Sequence, residues 1–304
     1  MVFRRTATLA GLRRQEEITG WLFVAPVALG ILIFQVYPVL YSLYISFTQW
    51  DLVRAPRWIG TTNYAELFTT DLVFSTSVVN TAVYAIGTVV PGIALALLFA
   101  VLLNQHIRGR FVYRTIYFVP VIAPVVSIAI LWTWIYEPSF GILNYALKLV
   151  GIPGPPWIAS SGWAMPAVII MSIWRELGFN IVIFLAGLQA ISNDYYEAAA
   201  IDGANALQRL LKVTFPLLSP VTFFVFVLAV INALQVFTAP YVLTRGGPAN
   251  ATVTVVMYVY DQAFTYQAMG FASAIAYCLF VIIVALTLLN FYLQKVWVFY
   301  EEDR

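Results

Sequence analysis

Between residues 76 and 103 the chain reads TSVVNTAVYAIGTVVPGIALALLFAVLL, a stretch without a single Asp, Glu, Lys or Arg. A transmembrane helix needs about 20 predominantly apolar residues to cross about 30 Å of hydrocarbon. The stretch therefore predicts a membrane-spanning helix. Five further runs of similar length and apolar character lie on either side of it, at about 21–48, 111–136, 163–190, 217–241 and 268–294.

The composition of the whole chain agrees with these runs. Its 304 residues are 62% hydrophobic and only 10% charged, whereas about a quarter of the residues in a soluble globular protein are charged. The first run is too long for the apolar region of a signal peptide. We therefore expect an all-α membrane protein with six transmembrane helices, in a single transmembrane domain over residues 1–304.

The same composition argues against several classes of function. A net charge of +2 with scattered basic residues does not suit a nucleic-acid-binding protein. The single cysteine, Cys278, allows no disulfide within the chain, and no Cys/His cluster predicts a metal site. The lone histidine, His106, lies in a short basic turn without catalytic partners, so we interpret it as a loop residue.

The distribution of Lys and Arg predicts the orientation in the cell membrane, because basic residues concentrate in cytoplasmic loops. Six spans place both termini, the 104–110 turn and the 191–216 loop on one side, where eleven basic residues lie against four on the other. We expect the N- and C-termini to be cytoplasmic. The eleven are Arg4, Arg5, Arg13, Arg14, Arg108, Arg110, Arg114, Arg209, Lys212, Lys295 and Arg304, and the four are Arg54, Arg57, Lys148 and Arg245.

The loop at 191–216, between the fourth and fifth spans, has the pattern of a short helical segment. Asp194 and Glu197 have the spacing of a capping box, and an alanine run follows them. Gly203 is expected to interrupt the helix and Pro216 to end it, which predicts two amphipathic pieces joined at a bend. Such a segment can rest on lipid headgroups or dock in a groove of a partner protein, and the pattern leaves both open. Its apolar stripe consists of Tyr196, Ala200, Ala204, Leu207 and Leu211.

The same loop resembles the EAA loop of binding-protein-dependent ABC importer permeases. The resemblance rests on Glu197-Ala198-Ala199, Asp202-Gly203-Ala204, Phe215-Pro216 and Pro220. It extends over most of the chain through Trp21 to Pro26, Tyr37-Pro38, Arg114 to Pro120 and Leu243 to Pro248. The chain looks like the carbohydrate-type branch of these permeases, which includes maltose, disaccharide and glycerol-3-phosphate permeases.

The resemblance implies a type I ABC importer permease-like fold, in which a cytoplasmic coupling helix between helices four and five contacts an ATPase subunit. It implies as partners a homologous permease subunit in a heterodimer, two ATPase subunits and an extracytoplasmic solute-binding protein. Because the chain contains no GxxxxGKS or GxxxxGKT loop, we expect it not to be an enzyme, and ATP and Mg would be bound by the ATPase. The residues implied in the ATPase contact are Glu197, Ala198, Ala199, Asp202, Gly203, Ala204 and Pro216.

The solute implied by the resemblance is a sugar or a related polyol, and polar side chains within the spans are candidates to line its path. Asn80 and Tyr84 share a helix face at i, i+4, and Asn232 and Gln235 share one at i, i+3. Amides and hydroxyls at such positions also hold membrane helices together. The sequence leaves open which of the two roles these four residues have.

Two charged residues, Arg175 and Glu176, lie near the middle of the fourth span. Burying a charge in a span costs about 2.5–3.5 kcal/mol on insertion scales, so such residues usually face a bundle interior or water. Since adjacent side chains on a helix point about 100° apart, we expect at least one of them to find a partner on another helix. Structural pairing and contact with the solute both remain possible roles.

A secondary transporter or channel driven by an ion gradient is the alternative function. The spans contain neither an evident internal repeat nor a chain of acidic residues for a proton relay, which argues against this alternative.

Overall fold

The computed structural model describes residues 9–105 and 109–299, which are mostly helical. The first half contains α1 (Leu9–Ile31), α2 (Tyr37–Ser46), α3 (Thr62–Thr69), α4 (Leu72–Asn104), α5 (Arg110–Ile122), α6 (Val125–Ile135) and α7 (Ile142–Leu149). The second half contains α8 (Ser161–Ala190), α9 (Asn193–Ile201), α10 (Ala206–Arg209), α11 (Phe215–Leu234), α12 (Thr238–Thr244), α13 (Val255–Tyr260) and α14 (Met269–Trp297). Strands β1 (Thr48–Gln49) and β2 (Arg57–Trp58) pair antiparallel, and π turns occupy Leu32–Val36, Leu210–Thr214 and Asp261–Thr265.

Most of the predicted spans are continuous helices. Among the described residues, the stretches long and apolar enough to cross a membrane are Glu16–Ser46, Leu72–Asn104, Ser161–Ala190, Ala206–Leu234 and Met269–Trp297. The predicted third span is broken, because Thr115–Ile122 and Val125–Ile135 meet at 109°. Pro124 causes the break, since proline disfavours a helical conformation in the residue before it and Ala123 is extended (φ −72°, ψ 141°). The six predicted spans therefore correspond to five helices and one bent pair.

The fifth span begins earlier than the sequence suggests. Pro216 does not end the loop helix, because Ala206–Leu234 is one helical stretch that passes through it. The π turn Leu210–Thr214 lies directly before α11, and the amide of Phe215 bonds the carbonyl of Leu210. A local π turn is one of the adjustments by which a membrane helix accommodates a proline without an amide donor.

Close packing of α4 against α8 and of α8 against α5 and α11 forms the centre of the bundle. Ala96 and Ala100 on α4 are fully buried. On α8, a Cβ at Gly178 would overlap the carbonyl oxygen of Tyr117, and one at Gly187 would lie 2.8 Å from a methyl of Leu218. Small residues thus allow the backbones to approach closely, as is typical of helix contacts in membranes.

Small elements join the spans at the end of the bundle where α4 begins. Asn63 of α3 donates to the carbonyls of Ser46 (2.8 Å) and Thr48 (3.0 Å). A Cβ at Gly270 would overlap the Thr48 carbonyl oxygen, so β1 lies directly against the start of α14. The strand pair was not predicted from the sequence.

The first span lies at the periphery of the bundle. Within it, α2 packs against α14, and the Tyr277 hydroxyl of α14 donates to the Val39 carbonyl. The large side chains of Trp21 and Phe23 are 72% and 80% exposed, which suits residues that face lipid. The interpretation of His106 as a loop residue lies outside the described residues.

Candidate functional site

A polar cavity of about 180 Å³ lies between α8 and α11, and Val121 of α5 also lines it. Four polar side chains line it: Arg175, Glu176 and Asn180 from α8 and Asn232 from α11. The remaining wall is apolar and includes the ring of Phe179 and aliphatic side chains of α8 and α11. The sequence candidates Arg175, Glu176 and Asn232 are therefore brought together in space.

Within the part of the chain that the structure describes, Arg175 and Glu176 pair with each other and neither forms an ion pair with another helix. The Arg175 Nη1 atom lies 3.4 Å from Glu176 Oε1, near the outer limit for a hydrogen bond. The expectation of a partner on another helix fails because the long arginine side chain reaches back to its neighbour. The Arg175 Nε atom is buried and makes no hydrogen bond to the described residues, so the guanidinium retains an unused donor beside the cavity.

The polar region continues towards α4. A small adjoining cavity shares Glu176, Asn180 and Ala229 with the first and reaches Thr88 and Gly92 of α4. Carboxylate, guanidinium and amide groups together can accept from and donate to several hydroxyl groups of one solute. These lining residues include no nucleophile paired with a base, so the arrangement suits binding rather than covalent chemistry.

Asn80 and Tyr84 do not line this cavity. The Asn80 Nδ2 atom donates to the carbonyls of Asn250 (2.8 Å) and Val253 (3.0 Å), so it anchors the connection between α12 and α13. Tyr84 is 3% exposed and belongs to a buried apolar cluster with Val168. For this pair the positions support the role of holding the structure together.

The pair Asn232 and Gln235 is divided by the end of a helix. Because α11 ends at Leu234, Gln235 is its C-cap and does not reach the cavity, whereas Asn232 does. Sequence reasoning missed Asn180, although it lies four residues after Glu176 and therefore on the same face of α8. The i, i+4 spacing of two polar residues in a span was the signal that could have identified it.

The loop between α8 and α11 contains the two short helices that the sequence predicted. Their caps differ from the prediction, because Ser192 rather than Asp194 is the N-cap of α9, and its hydroxyl accepts from the Asp194 amide. The capping box occurs in α10 instead, where Asn205 and Gln208 bond each other's backbone amides at 2.9 and 2.8 Å. Both helices of the loop thus have a fixed start.

The bend between α9 and α10 depends on Gly203. Its φ of +77° is a left-handed conformation, and its amide donates to the Ala200 carbonyl at 3.0 Å. The Ala204 amide donates to the Ala199 carbonyl at 2.9 Å, which completes the helix end. A Cβ at Gly203 would meet no other atom within 4 Å, so only the backbone conformation requires glycine here.

One contact fixes α9 against the start of the fifth span. The Tyr196 hydroxyl lies 3.1 Å from the Thr214 hydroxyl in the π turn before α11. Of the seven residues implied in an ATPase contact, Ala199, Ala204 and Pro216 are half-buried, and Glu197, Ala198, Asp202 and Gly203 are exposed. The latter four are therefore open to a partner.

The loop also exposes large apolar side chains. Ile201 is 88% exposed, Leu207 63% and Leu211 51%. Clustered exposed apolar residues mark surfaces that bind proteins or membranes. The predicted apolar stripe is therefore turned outward over most of its length and not into the bundle.

Among the described residues, five apolar helices and one bent pair are long enough to cross a membrane, and a polar cavity lies between two of these helices, an arrangement that suits a membrane transport protein. Comparison with known proteins gives the family. The model of the family described as "Binding-protein-dependent transport system inner membrane component" matches residues 92–297. The chain belongs to this family and is a permease subunit of an ABC transporter of the binding-protein-dependent type.

Two relatives and one solved structure illustrate the similarity. The probable ABC transporter permease protein YesP of Bacillus subtilis is 38% identical over 95% of this chain and 94% of its own. The lactose transport system permease protein LacF of Rhizobium radiobacter is 34% identical over 95% and 98%. The fold matches a chain of a bacterial ABC transporter involved in the import of alginate with a TM-score of 0.82, at 24% identity over 93% and 98% of the two chains.

These comparisons confirm the membrane permease class and the expectation that the chain is not itself an enzyme. The family places the protein in the inner membrane.

Proposed function

We propose that the protein is a channel subunit of an ATP-driven importer of a sugar or a related polyol, coupled through residues 191–216 to a separate ATPase subunit. The observation that carries the coupling role is the outward-facing surface of α9 and α10. Ile201 and Leu207 are exposed there beside the small residues Ala198 and Ala200. Small residues permit close approach of a protein groove, and bulky apolar ones provide its contact energy.

The cavity and one relative support the solute class. LacF is named as a lactose transport system permease. In this protein, the guanidinium of Arg175, the carboxylate of Glu176 and the amides of Asn180 and Asn232 present donors and acceptors together. The nearby ring of Phe179 adds an apolar face. A hydroxyl-rich solute with apolar ring faces matches this combination.

In the proposed assembly, the chain pairs with a homologous permease subunit and with two ATPase subunits, and an extracytoplasmic binding protein delivers the solute. ATP and Mg are held by the ATPase subunits. Residues 1–304 form one transmembrane domain with both termini in the cytoplasm, as the basic residues favour. The α9–α10 surface then lies on the ATPase side.

Cysteine cross-linking tests the ATPase contact without knowledge of the solute. In a Cys278→Ser background, Ala200→Cys should cross-link to the co-expressed ATPase subunit in membranes. Asn250→Cys is the matched control, since Asn250 is also exposed but lies on the connection between α12 and α13. Cross-linking from both positions or from neither contradicts the proposed surface.

Function is tested by Glu197→Ala in the complex reconstituted with its binding protein. We expect the stimulation of ATP hydrolysis by the binding protein to fall, while the amount of assembled complex stays unchanged. Glu197→Gln tests whether the charge is required. Full stimulation in both variants contradicts a coupling role for this residue.

Uptake into vesicles tests the solute class, with lactose as the first probe. The binding protein is purified together with the solute that it carries. If lactose displaces that solute, a sugar is supported as the transported solute. A co-purified solute without hydroxyl groups contradicts it.

A further inference from the structure

A backbone amide just after the end of α14 forms a hydrogen bond with a side chain near the start of α11. The helix ends at Trp297, and Val298 is extended (φ −88°, ψ 126°). The next residue, Phe299, donates its amide hydrogen to the Ser219 hydroxyl at 2.8 Å. Ser219 is 5% exposed, so the hydrogen bond is shielded on its α11 side.

Aromatic packing reinforces this contact. The ring of Phe223 on α11 lies edge-on to Phe291 at 5.4 Å and to Trp297 at 6.0 Å. Phe223 is only 8% exposed, whereas Trp297 is 44% exposed. Trp297 therefore contacts α11 through Phe223 although much of its ring is exposed. Edge-to-face pairs at these separations are favourable.

The contact lies next to the loop that carries α9 and α10. The Ser219 hydroxyl that accepts from Phe299 donates in turn to the Pro216 carbonyl at 2.6 Å. A hydroxyl has one donor hydrogen, and Ser219 donates it to the Pro216 carbonyl. The hydroxyl oxygen accepts the amide hydrogen of Phe299 through a lone pair. Two residues before Pro216, Thr214 contacts Tyr196 of α9. An unbroken series of contacts thus runs from α9 through the start of α11 to the end of α14.

We propose that Ser219, Phe223, Trp297 and the Phe299 amide form a clasp that makes α11 and the end of α14 move as one body during transport. These are positioning residues: they touch neither solute nor ATP. This inference rests on the proposed coupling role of residues 191–216. When the ATPase moves this loop, the clasp transmits the movement from α11 to α14, the sixth span. Without the clasp, movement of the loop would displace α11 but not α14.

Point variants test whether the clasp transmits motion. We expect Trp297→Ala and Ser219→Ala each to reduce at least fivefold the ratio of binding-protein-stimulated to basal ATP hydrolysis in the reconstituted complex. Loss of one hydrogen bond in Ser219→Ala, or of one aromatic pair in Trp297→Ala, changes an equilibrium by about this factor. The matched controls are Ser219→Thr, which keeps the hydroxyl, and Tyr292→Ala, which removes a 69% exposed ring from the same helix. A wild-type ratio in both test variants overturns the proposal.

A disulfide that joins α11 to the end of α14 and can be reduced again provides a second test. Its result does not depend on differences in stability between variants, because both states are measured in one sample. The 2.8 Å hydrogen bond limits the separation of the two Cα atoms to about 7 Å, the upper end of the range that a disulfide spans, so loss of free thiols on oxidation is measured first. Ser219→Cys with Phe299→Cys, in a Cys278→Ser background, is oxidised and then reduced in the same sample. Because Ser219→Cys removes the hydroxyl, we expect the reduced form to show the low ratio of stimulated to basal hydrolysis of Ser219→Ala. The oxidised form, in which the disulfide replaces the hydrogen bond, should regain a ratio within twofold of wild type, and an oxidised form as low as the reduced form contradicts the proposal. A loss of more than fivefold that reduction restores shows that the contact opens during the cycle, which overturns the proposal.

Together, these experiments distinguish failure of the clasp from failure of the proposed coupling role. If the coupling role of the loop is wrong, Glu197→Ala retains full stimulation and Ala200→Cys does not cross-link. If only the clasp is wrong, those two experiments succeed while Trp297→Ala and Ser219→Ala behave as wild type.

Discussion

Replacing Gly203 by alanine tests whether the bend between α9 and α10 has to be held in its present shape. A residue with a Cβ in the left-handed region costs roughly 1–2 kcal/mol, and Gly203 has a φ of +77°. Since the added methyl would meet no atom within 4 Å, steric contact adds nothing to this cost. The substitution therefore perturbs the backbone of the bend and leaves its surroundings in place.

The expected size of the effect follows from that cost. A change of 1–2 kcal/mol is a factor of roughly 5–30 in the population of the native bend. We expect Gly203→Ala to lower binding-protein-stimulated ATP hydrolysis by a similar factor if docking needs the bend. Gly203→Val should lower it further, because a β-branched residue tolerates positive φ least. The amount of complex recovered by size-exclusion chromatography should not change, since Gly203 lies outside the bundle.

Gly203→Asn is the decisive control. Asparagine enters the left-handed region more readily than alanine, so it should restore part of the activity although its side chain is larger. An asparagine variant as inactive as the alanine variant would show that bulk at the contact surface, and not backbone conformation, limits coupling. Full activity in the alanine variant would refute the requirement for the bend altogether.

Three further substitutions test the cavity, the anchored connection and the helix packing. Asn180→Leu replaces a polar cavity wall by an apolar one, and we expect the KM for uptake of the transported sugar to rise roughly fivefold, equivalent to one lost hydrogen bond. Asn80→Ala removes two hydrogen bonds to the backbone, each worth about 1 kcal/mol, so we expect a lower unfolding temperature in detergent. Gly178→Ala places a methyl on the Tyr117 carbonyl oxygen, and overpacking of this kind costs about 1–3 kcal/mol in unfolding experiments.

Matched controls accompany these three changes. Asn180→Gln keeps the amide and should retain a KM closer to wild type. Thr76→Ala removes a hydroxyl that, among the described residues, bonds to Leu72 of its own helix, and it should affect unfolding less than Asn80→Ala. A Cβ at Gly92 would meet nothing within 4 Å, so Gly92→Ala should not destabilise the protein. An unfolding temperature for Gly178→Ala equal to that of Gly92→Ala contradicts the close approach of α5 and α8.

Hydropathy sufficed for the spans because the apolar length of a helix is a local property of the sequence. Hydropathy could not predict the 109° break between α5 and α6. Proline at 124 predicts a weak point in the helix, but packing of the following segment against other helices decides the angle. Similarly, Pro216 looked like a stop because proline ends most helices in water, and the π turn before it could not be read from composition.

The candidate cavity was partly predictable for a related reason. Charged residues in a span are rare enough to attract attention, so Arg175 and Glu176 were identified, and Asn180 could have been. Asn80 looked equivalent to Asn232 in the sequence, since each is an amide within an apolar run. Only the three-dimensional structure shows that Asn80 lies against the carbonyls of Asn250 and Val253. Whether a polar side chain faces a cavity or a backbone depends on residues distant in sequence.

The π turn at Leu210–Thr214 shifts the angular phase of everything that follows it. A π turn accommodates one residue more than an α turn, and each residue of an α-helix advances about 100° around the axis. A helical wheel drawn without interruption from Ala206 to Leu234 therefore assigns residues after Thr214 to faces rotated by about that angle. A cysteine-accessibility scan of this helix must restart its periodicity at Phe215, or positions after Thr214 will be assigned to faces about 100° from their true ones.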